Sequence, residues 1–459
     1  MAGPNPAARL SWGRVHRFVQ DVHKPRDPAG LRELVRQGAG ADIPLLAYGL
    51  GRSYGDSCLN AGGRLIDMGG FDHFVALDPA QGVLRVEAGV TLAAIVNLLS
   101  RHQAADGSVW FLPVSPGTAF VTVGGAIAND VHGKNHHLWG TFGRHVRAFH
   151  LLRSDGSVRR CAPDENEPLY RATIGGLGLT GIVLDAELQL RRVPGLAVDN
   201  EDLRVADLEE FYALADESAA SHEYTVAWVD CLARGRRVGR GLFSRANHVP
   251  GRTVLPPAGA PRRRMPAEPP FSPLNRFSVA AFNALYLRQF WPHRRRRQRQ
   301  PVTKVLYPLD GIARWNLLYG PSGFYQYQCV LPPATARDGI RDLLETIARS
   351  GDASFLAVLK TLGDQPSPGQ LSFPMPGTTL ALDFPNRGAA TLALLDRLDR
   401  ITAAAGGRCY PAKDGRMSGR AFQAGFDAFD RFREHVDPAF SSSFWRRMGL
   451  DGPRVAASA

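Results

Sequence analysis

Alternating apolar and polar residues indicate several β-strands in the first 194 residues of the chain. The clearest case is residues 181–190, where apolar residues alternate with acidic and amide residues. Shorter stretches of the same kind predict strands at 65–68 and 83–88. Residues 91–101 have helical periodicity, and Thr91 is placed to begin that helix. These short strands and glycine turns favour a first domain that extends over residues 1–194.

A second region begins after residue 194 and repeats elements of both kinds. Its pattern predicts strands at 196–203, 225–231 and 237–244, with a helix at 207–220. Residues 250–275 are rich in proline and arginine and are expected to form an exposed loop.

From residue 324 the expected order is strand, helix, strand, strand, helix. The strands are predicted at 324–331, 354–361 and 379–384, and the helices, stopped by Gly351 and Gly406, at 335–349 and 389–404. This order is typical of an antiparallel sheet with helices on one face. We therefore expect a cap domain over residues 195–405, followed by a segment, 406–459, that returns to the first domain.

Composition narrows the class of protein. The chain has 459 residues, is 44% hydrophobic and carries a formal charge of +12, which excludes general disorder and favours anionic partners. Its five cysteines are widely spaced without a CxxC pair, so a disulfide framework or structural zinc site is not expected and a reducing compartment fits. The N-terminus lacks the apolar core of a signal peptide, and prolines and glycines interrupt the long uncharged stretch at 107–129. We expect a cytoplasmic protein.

The sequence GLGRSYGD at residues 49–56 is the first candidate for chemistry. Three glycines within seven residues let the backbone turn sharply and direct successive N–H groups at one point, which suits a phosphate. An ordinary glycine turn is the alternative, and no amphipathic helix follows as a dinucleotide fingerprint would require.

Two further small-residue segments allow a flat ring system to lie against the backbone. They are Gly117–Thr118 and residues 122–129, although a tightly packed turn explains them equally well. Residues 176–181 match GxGxxG literally, but a strand follows them where a nicotinamide-binding motif needs a helix. A nicotinamide site is therefore not predicted.

The sequence HGKNHH at residues 132–137 invites a metal reading. Its histidines lie in a Gly/Asn-rich segment, and no carboxylate has metal-ligand spacing, so we predict no metal site. A cationic wall for an anionic substrate is the preferred interpretation.

Together these motifs resemble the FAD-binding oxidases of the vanillyl-alcohol-oxidase (PCMH) type. The resemblance implies an α+β, two-domain FAD-binding fold with an antiparallel-sheet cap domain. It implies that the glycine loop holds the pyrophosphate and that the other segments line the flavin. The cofactor-binding residues so implied are Gly49, Gly51, Arg52, Ser53, Tyr54, Gly55, Asp56, Gly117, Thr118, Thr122, Val123, Gly124, Gly125, Asn129, His132, Ile182 and Tyr410. Since the loop has no histidine or cysteine before Cys58, we expect FAD to be bound non-covalently.

Within that group, the sequence is similar to the flavin subunits of decaprenylphosphoryl-ribose 2′-epimerases. The motifs that carry this similarity are GLGRSYGD, VTVGGAIANDVHGKNHH, GTFGRHVR, GGLGLTGIV, YGPSGFYQYQ, SFPMPG and YPAKD, in order over residues 10–450. The sequence departs from mycobacterial members at Ala381, where they carry cysteine, at Asn129 and across residues 245–300.

This closer resemblance implies oxidation of the C2 hydroxyl of a polyprenyl-phosphate ribose, with the hydride going to flavin N5. It implies a short-chain-dehydrogenase partner that completes the epimerisation, and a role in cell-wall polysaccharide synthesis. By position, the catalytic residues are Lys413 and His132, and the substrate-binding residues are Lys134, Tyr307, Gln326, Gln328 and Lys360. Gln326 and Gln328 are two apart in a predicted strand, so the pattern places them on one face.

Three other interpretations of the sequence stay open. One is an FAD-dependent oxidase of free alditols or aldonolactones. The second is nucleic-acid binding through Arg294–Arg297, which lies in a segment without a recognised nucleic-acid fold and is disfavoured. The third concerns residues 276–300, where Phe277, Phe282, Leu285, Leu287, Phe290 and Trp291 precede this basic run. That mixture suits peripheral attachment to an acidic membrane surface, and a surface loop is the alternative.

Overall fold

The computed structural model describes residues 9–259, 261, 263–290 and 293–450, so Trp291 lies outside the described residues. The fold is a mixed α+β fold with largely antiparallel sheets. In chain order the strands are β1 (Asp21–His23), β2 (Leu45–Tyr48), β3 (Arg64–Asp67), β4 (Phe74–Asp78), β5 (Val83–Glu87), β6 (Val109–Phe111), β7 (Val146–Leu152), β8 (Val158–Cys161), β9 (Ile182–Gln189), β10 (Arg191–Val193), β11 (Ala197–Val205), β12 (Tyr224–Val229), β13 (Gly241–Val249), β14 (Arg263–Arg264), β15 (Arg295–Pro301), β16 (Ile312–Ala313), β17 (Phe324–Leu331), β18 (Ala357–Leu362), β19 (Gly377–Pro385) and β20 (Arg408–Cys409).

The helices lie between these strands and at the C-terminal end of the described chain. They are α1 (Pro28–Gly40), α2 (Leu92–Ser100), α3 (Val123–Ala128), α4 (His136–Trp139), α5 (Glu167–Thr173), α6 (Leu208–Ser218), α7 (Arg276–Arg288), α8 (Val302–Leu306), α9 (Pro333–Ser350), α10 (Ala389–Ala404), α11 (Gly419–Ala424), α12 (Phe429–Arg433) and α13 (Ser443–Arg447). The expected caps are present: Thr91 accepts from the backbone of Ala94, and Gly351 is left-handed after α9. No helix among the described residues is long and apolar enough to cross a membrane.

The N-terminal half is built on two sheets. A five-stranded antiparallel sheet has the order β4-β5-β9-β7-β8, and a small parallel sheet has the order β1-β3-β2. The alternation in β9 buries Ala186 and Leu188 against α2 and α3, as expected for a strand with one face in the core. These sheets place the glycine loop directly after β2.

The second half is an eight-stranded antiparallel sheet with the order β15-β11-β13-β12-β18-β19-β17-β20. Helices α6, α9 and α10 cover one face, where Tyr327 and Cys329 of β17 join their apolar side chains. Because side chains alternate along a strand, the opposite face carries Gln326 and Gln328. This second face, which we call the polar face, is the one that meets the glycine loop.

Two parts of this half differ from the sequence-based expectation. The strand predicted at 237–244 begins at Gly241 and continues to Val249, because Gly235–Arg237 forms a 3-10 turn before it. Residues 276–300 are not a surface loop: they form α7 and, after the residues outside the description, the edge strand β15. Most of the arginine run therefore belongs to a sheet, paired with β11.

The last described residues pack back on the N-terminal half. Phe440 lies in a hydrophobic cluster with Leu45 and Ile66, and Phe422 and Phe444 pack with Leu179. This return brings α13 close to the glycine loop. The division into domains at residues 194 and 405 stays a prediction.

Candidate active site

The glycine loop at 49–56 is shaped by contacts that leave no room for side chains. A Cβ on Gly49 would lie 2.5 Å from Thr122 Oγ1, and Gly51 has a φ of +62° with its Cβ position 2.2 Å from the Tyr48 hydroxyl. A Cβ on Gly55 would lie 1.4 Å from the backbone oxygen of Asp414. The loop thus packs on the segment before α3 on one side and on the Lys413 segment on the other.

An arginine from α13 fastens the same two segments together. Arg447 donates to both carboxylate oxygens of Asp56 at 2.8 Å and to Asp414 at 2.9 Å. Tyr54 adds a backbone hydrogen bond to Ala412. The carboxylate of Asp414 therefore faces Arg447.

A cavity of about 490 Å³ opens beside the glycine loop. Gly49, Leu50, Gly89 and Thr91 line it, together with the cationic side chains of Arg9 and Lys24. The predicted loop residue Arg52 lies beside this region, with its guanidinium 4.0 Å from the centre of the Trp12 ring. Asp67 and Asp72 also line the cavity, and Arg9 pairs with Asp67 at 2.7 Å, so the wall carries charges of both signs. The size of the cavity suits a large ligand with polar groups.

His132 lies at the junction between the glycine-rich segment and the polar face. Its Nε2 is 3.1 Å from the amide nitrogen of Gln328, and its ring packs on Phe373 and Tyr410. Burial, with Lys360 nearby, holds the His132 pKa well below its usual value, so the ring is neutral. If Nε2 accepts from Gln328, the ring proton is on Nδ1, which is buried and without a partner among the described residues.

Lys360 and Lys413 lie close to His132, and Lys134 lies close to Lys360. Burial lowers the pKa of Lys134 and of Lys413 to about 7, and that of Lys360 to about 8. Lys360 also lowers the pKa of the other two, which places all three ammonium groups in one electrostatic cluster. Lys134 donates to the carbonyl of Val305.

Lysine is uncommon in this chain, which makes the cluster stand out. Of the 55 lysine and arginine residues only five are lysine, and three of those five meet here. Arginine stays charged in proteins, whereas a buried lysine can release its proton near neutral pH. The site therefore concentrates the cations that can also act as bases.

Asp383, which the sequence analysis did not single out, completes the surroundings of Lys413. It is fully buried on β19, accepts from Gln326 Nε2 at 2.6 Å and receives the Tyr319 hydroxyl at 3.4 Å. Burial raises the Asp383 pKa to about 7, and the carboxylate in turn raises the pKa of Lys413. Lys413 Nζ lies 3.9 Å from the centre of the Tyr54 ring. The protonation of Lys413 therefore depends on the charge of Asp383, and that of Asp383 on the charge of Lys413.

The other predicted site residues lie at different distances from this centre. Tyr410 donates to the Asn129 carbonyl at 2.8 Å, and Tyr307 is 2.7 Å from Ser115 Oγ, beside Gly133. Val123 and Ile182 are fully buried in the hydrophobic core. Their parts in cofactor binding stay predictions. Among the described residues, no group of three or more His, Cys, Asp or Glu is arranged to hold a metal ion.

Comparison with known proteins identifies the family. Residues 20–162 match the model of an FAD binding domain. The chain is 35% identical to the decaprenylphosphoryl-β-D-ribose oxidase of Mycolicibacterium smegmatis, over 97% of this chain and 98% of the relative. The chain belongs to the decaprenylphosphoryl-β-D-ribose oxidase family. It is an FAD-dependent oxidoreductase.

Two other proteins are also similar in sequence to this chain. An uncharacterised protein of Streptomyces coelicolor is 39% identical over 74% of this chain and 96% of its own length. Mouse L-gulonolactone oxidase is 26% identical over 39% of each chain. The sequence similarity to the lactone oxidase thus covers a limited part of both chains, whereas that to the ribose oxidase covers nearly all of both.

The geometry of the site fits FAD. Gly49, Gly51 and Gly55 let the glycine loop approach Thr122, Tyr48 and Asp414 more closely than a residue with a Cβ could, so the loop holds a tight turn beside the cavity, as a backbone phosphate site needs. The buried Nδ1–H of His132 needs an acceptor, because a buried donor without one costs about 1–3 kcal/mol. Flavin and sugar oxygens are suitable acceptors. The glycine loop, the segment at 117–129 and His132 would hold the cofactor between the N-terminal half and the polar face.

Proposed function

We propose that this protein oxidises the C2 hydroxyl of a polyprenyl-phosphate ribose to the keto sugar. The observation that carries the proposal is the meeting of Lys134, Lys360 and Lys413 with neutral His132 beside the glycine loop. A phosphorylated sugar supplies the negative charge that such a cluster attracts, and its hydroxyl supplies the proton that a neutral lysine can accept. The end-to-end similarity to a decaprenylphosphoryl-β-D-ribose oxidase supports the same substrate class.

Each residue of the candidate site has its own role in the proposed alcohol oxidation. Bound FAD supplies the hydride acceptor, its N5 atom. Lys413 takes the hydroxyl proton at Nζ, and Asp383 adjusts the pKa at which it does so. Gln328 fixes His132 through Nε2, so that the Nδ1–H is directed at an oxygen in the site. Lys134 and Lys360 bind the anionic end of the substrate.

Two experiments test the substrate class and the cofactor together. Purified protein should be yellow, and denaturation should release FAD into the supernatant because the attachment is non-covalent. Under anaerobic conditions the flavin absorbance should bleach with a polyprenyl-phosphate ribose and not with free alditols or aldonolactones. Bleaching by the free sugars alone would favour the alditol-oxidase interpretation and overturn the proposed substrate.

Lys134→Ala should raise KM for a phosphorylated sugar by roughly tenfold to a hundredfold, the usual effect of losing one charge-assisted contact of about 1.5–3 kcal/mol. A non-phosphorylated analogue should be little affected. Burial lowers the pKa of Lys134 to about 7 in the protein without substrate. A phosphate beside the side chain raises that pKa again, so Lys134 is charged when it contacts the phosphorylated sugar. Steady-state kinetics on both substrates measure the difference.

A matched control for this variant is Lys304→Ala, because Lys304 is exposed on α8 near the same segment. It should leave both KM values unchanged. Equal loss on the phosphorylated and non-phosphorylated substrates of Lys134→Ala would assign the residue to the fold or the flavin.

The proposed product is a keto sugar, which needs a second enzyme to complete an epimerisation. We infer a partner reductase of the short-chain-dehydrogenase type that delivers a hydride from a reduced nicotinamide cofactor to the opposite face of C2, while a proton goes to the oxygen. Coupled assays with such a reductase should convert the ribose into its C2 epimer, whereas either enzyme alone should not.

The position of α7 supports a peripheral attachment to membranes at their inner face, where a polyprenyl substrate has to be reached. Phe277 and Leu285 are 75% and 68% exposed on the outer side of this helix. The basic run contributes less than its sequence suggests, because Arg295 and Arg297 pair with Glu201 and Arg294 pairs with Glu210. Exposed apolar side chains thus carry more of the proposed attachment than charge does.

Phe277→Ser combined with Leu285→Ser should abolish flotation with liposomes that contain anionic lipid. Each exposed apolar side chain that enters the interface contributes about 1.5–3 kcal/mol, so two losses reduce binding by at least a hundredfold. Phe74→Ser is the matched control, since Phe74 is 40% exposed on β4. Equal flotation of the unaltered protein with anionic and neutral liposomes would remove the electrostatic part of the proposal.

A further inference from the structure

A cluster of aromatic rings joins the surface helix α7 to the polar face of the eight-stranded sheet. Trp228, on β12, is 4.8 Å from Tyr286 of α7 between ring centres, and Phe282 stacks on Tyr286 at 5.6 Å. Phe282 also lies 6.0 Å from Phe355, whose carbonyl accepts from the Trp228 indole. Phe282 and Tyr286 are 41% and 36% exposed, so their rings are only partly covered by the protein.

This cluster lies on the same sheet face as the lysines. Trp228 pairs with Val358 across β12 and β18, so both side chains share a face, and Lys360 is two residues further along β18. The adjoining end of β12 contacts the other lysine, because the backbone of Thr225 donates to the carbonyl of Lys134. Three residues of strand, about 10 Å, separate Thr225 from Trp228.

We propose that the cluster of Trp228, Phe282, Tyr286 and Phe355 is the subsite for the first part of the prenyl chain. This inference rests on the proposed function and names where the lipid part of that substrate binds. A phosphate at Lys134 or Lys360 would leave an attached apolar chain running along β12 towards the rings and then out along α7.

The charges around the helix favour an anionic lipid over other occupants. The chain has no aspartate or glutamate between residues 269 and 309, and Arg288 ends α7. Asp202, whose carboxylate accepts from Ser244 and Asn200, is the acidic group that lies near Lys134 and Tyr286. Most exposed residues in the middle of α7 are alanine, leucine and phenylalanine, whereas the exposed donors Arg276, Ser278 and Arg288 lie near its ends. The middle of the helix therefore offers an apolar surface with the Tyr286 hydroxyl at its edge.

Different faces of α7 serve the proposed prenyl subsite and the proposed membrane contact. Val279, Asn283 and Leu287 are buried against the protein, and Phe282 and Tyr286 lie along one flank, towards Trp228. Phe277 is 75% exposed and lies half a turn around the helix from Tyr286, whereas Leu285 is a neighbour of Phe282 on the helix surface. Variants at Phe282 and Phe277 therefore distinguish the proposed subsite from the membrane contact.

The test measures binding of farnesyl phosphate to the holoenzyme in membrane-free buffer, with methyl phosphate as the ligand without a chain. Isothermal titration calorimetry measures the affinity for both ligands. The unaltered protein should bind farnesyl phosphate more tightly than methyl phosphate. Phe282→Ala and Tyr286→Ala should each weaken the farnesyl ligand roughly tenfold and leave methyl phosphate unchanged. Phe74→Ala should bind both ligands normally.

Two outcomes would overturn the subsite. One is normal farnesyl phosphate binding by both variants. The other is an equal loss in Phe277→Ala, which would assign the whole helix to an outer partner such as a membrane or another protein. Failure of the unaltered enzyme to oxidise any polyprenyl-phosphate ribose would instead count against the proposed function, because the binding measurement does not depend on oxidation.

Discussion

Lys413→Ala should lose substrate-driven flavin reduction by about 100-fold to 10,000-fold while it keeps its FAD and its melting temperature. That range is the usual contribution of a general base to a reaction rate. The side chain is half-buried beside Tyr54 and is not part of the core, so the fold does not depend on it. Anaerobic stopped-flow absorbance of the flavin measures the rate directly.

The pH dependence follows from the direction of the pKa shift. Burial lowers the Lys413 pKa from 10.5 to about 7, so the side chain is mostly neutral above pH 7 and mostly charged below it. A base must be neutral, and the reduction rate should therefore fall as pH drops through about 7. Asp383→Asn should move this fall to lower pH, because the carboxylate raises the Lys413 pKa and its removal lets that pKa drop further.

Lys413→Arg separates the two roles that the geometry allows. Arginine does not deprotonate, so the base role predicts an inactive enzyme with normal flavin content. An arginine variant with near-normal reduction would leave Lys413 as a fixed charge that orients the hydroxyl or stabilises reduced flavin. Normal reduction by Lys413→Ala would remove both roles.

Gly55→Ala should weaken FAD binding by about 2–3 kcal/mol, which is roughly 30-fold to 140-fold in Kd. The new Cβ would overlap the backbone oxygen of Asp414, only 1.4 Å away, and backbone cannot move aside as a flexible side chain can. The glycine loop and the Lys413 segment must then separate, so flavin reduction at saturating FAD should fall as well. Flavin fluorescence titration measures the affinity.

Gly40→Ala is the matched control for this substitution. Gly40 ends α1, has no atom within 4 Å of its Cβ position and has an ordinary φ. Alanine there should leave FAD affinity and reduction unchanged. Normal FAD affinity and a normal rate of flavin reduction in Gly55→Ala would show that the close contact between Gly55 and Asp414 is not needed for cofactor binding or catalysis.

The sequence predicted those elements that depend on residues close together in the chain, such as a strand with one buried face or a capped helix end. Strand β9 was recognisable because one of its faces is buried, and Thr91, Asp207 and Gly351 marked helix ends through hydrogen bonding or backbone conformation. Strand β15 was missed for the opposite reason. In the sequence its arginines look like a solvent-exposed basic run. In the fold, Arg295 and Arg297 pair with Glu201 of β11, which is 94 and 96 positions earlier in the chain, so no local pattern reveals the strand.

The candidate site shows the same limit. Gln326 and Gln328 could be placed on one face by their spacing, whereas Asp383 gave no local sign of its contact with Gln326, 57 residues away. The amino-acid composition contains one further indication of the site, the rarity of lysine relative to arginine. Most cationic positions of this chain are arginine, yet three of its five lysines lie in the site, where a removable proton is useful.

The bond between Arg447 and Asp56 also sets an order of events during synthesis. The two residues are 391 positions apart, and a ribosome that adds about 5–20 residues per second needs roughly 20–80 s to make the second after the first. Until α13 emerges, the glycine loop lacks the arginine that ties it to the Lys413 segment. We therefore expect the newborn chain to acquire its flavin only around the moment of release.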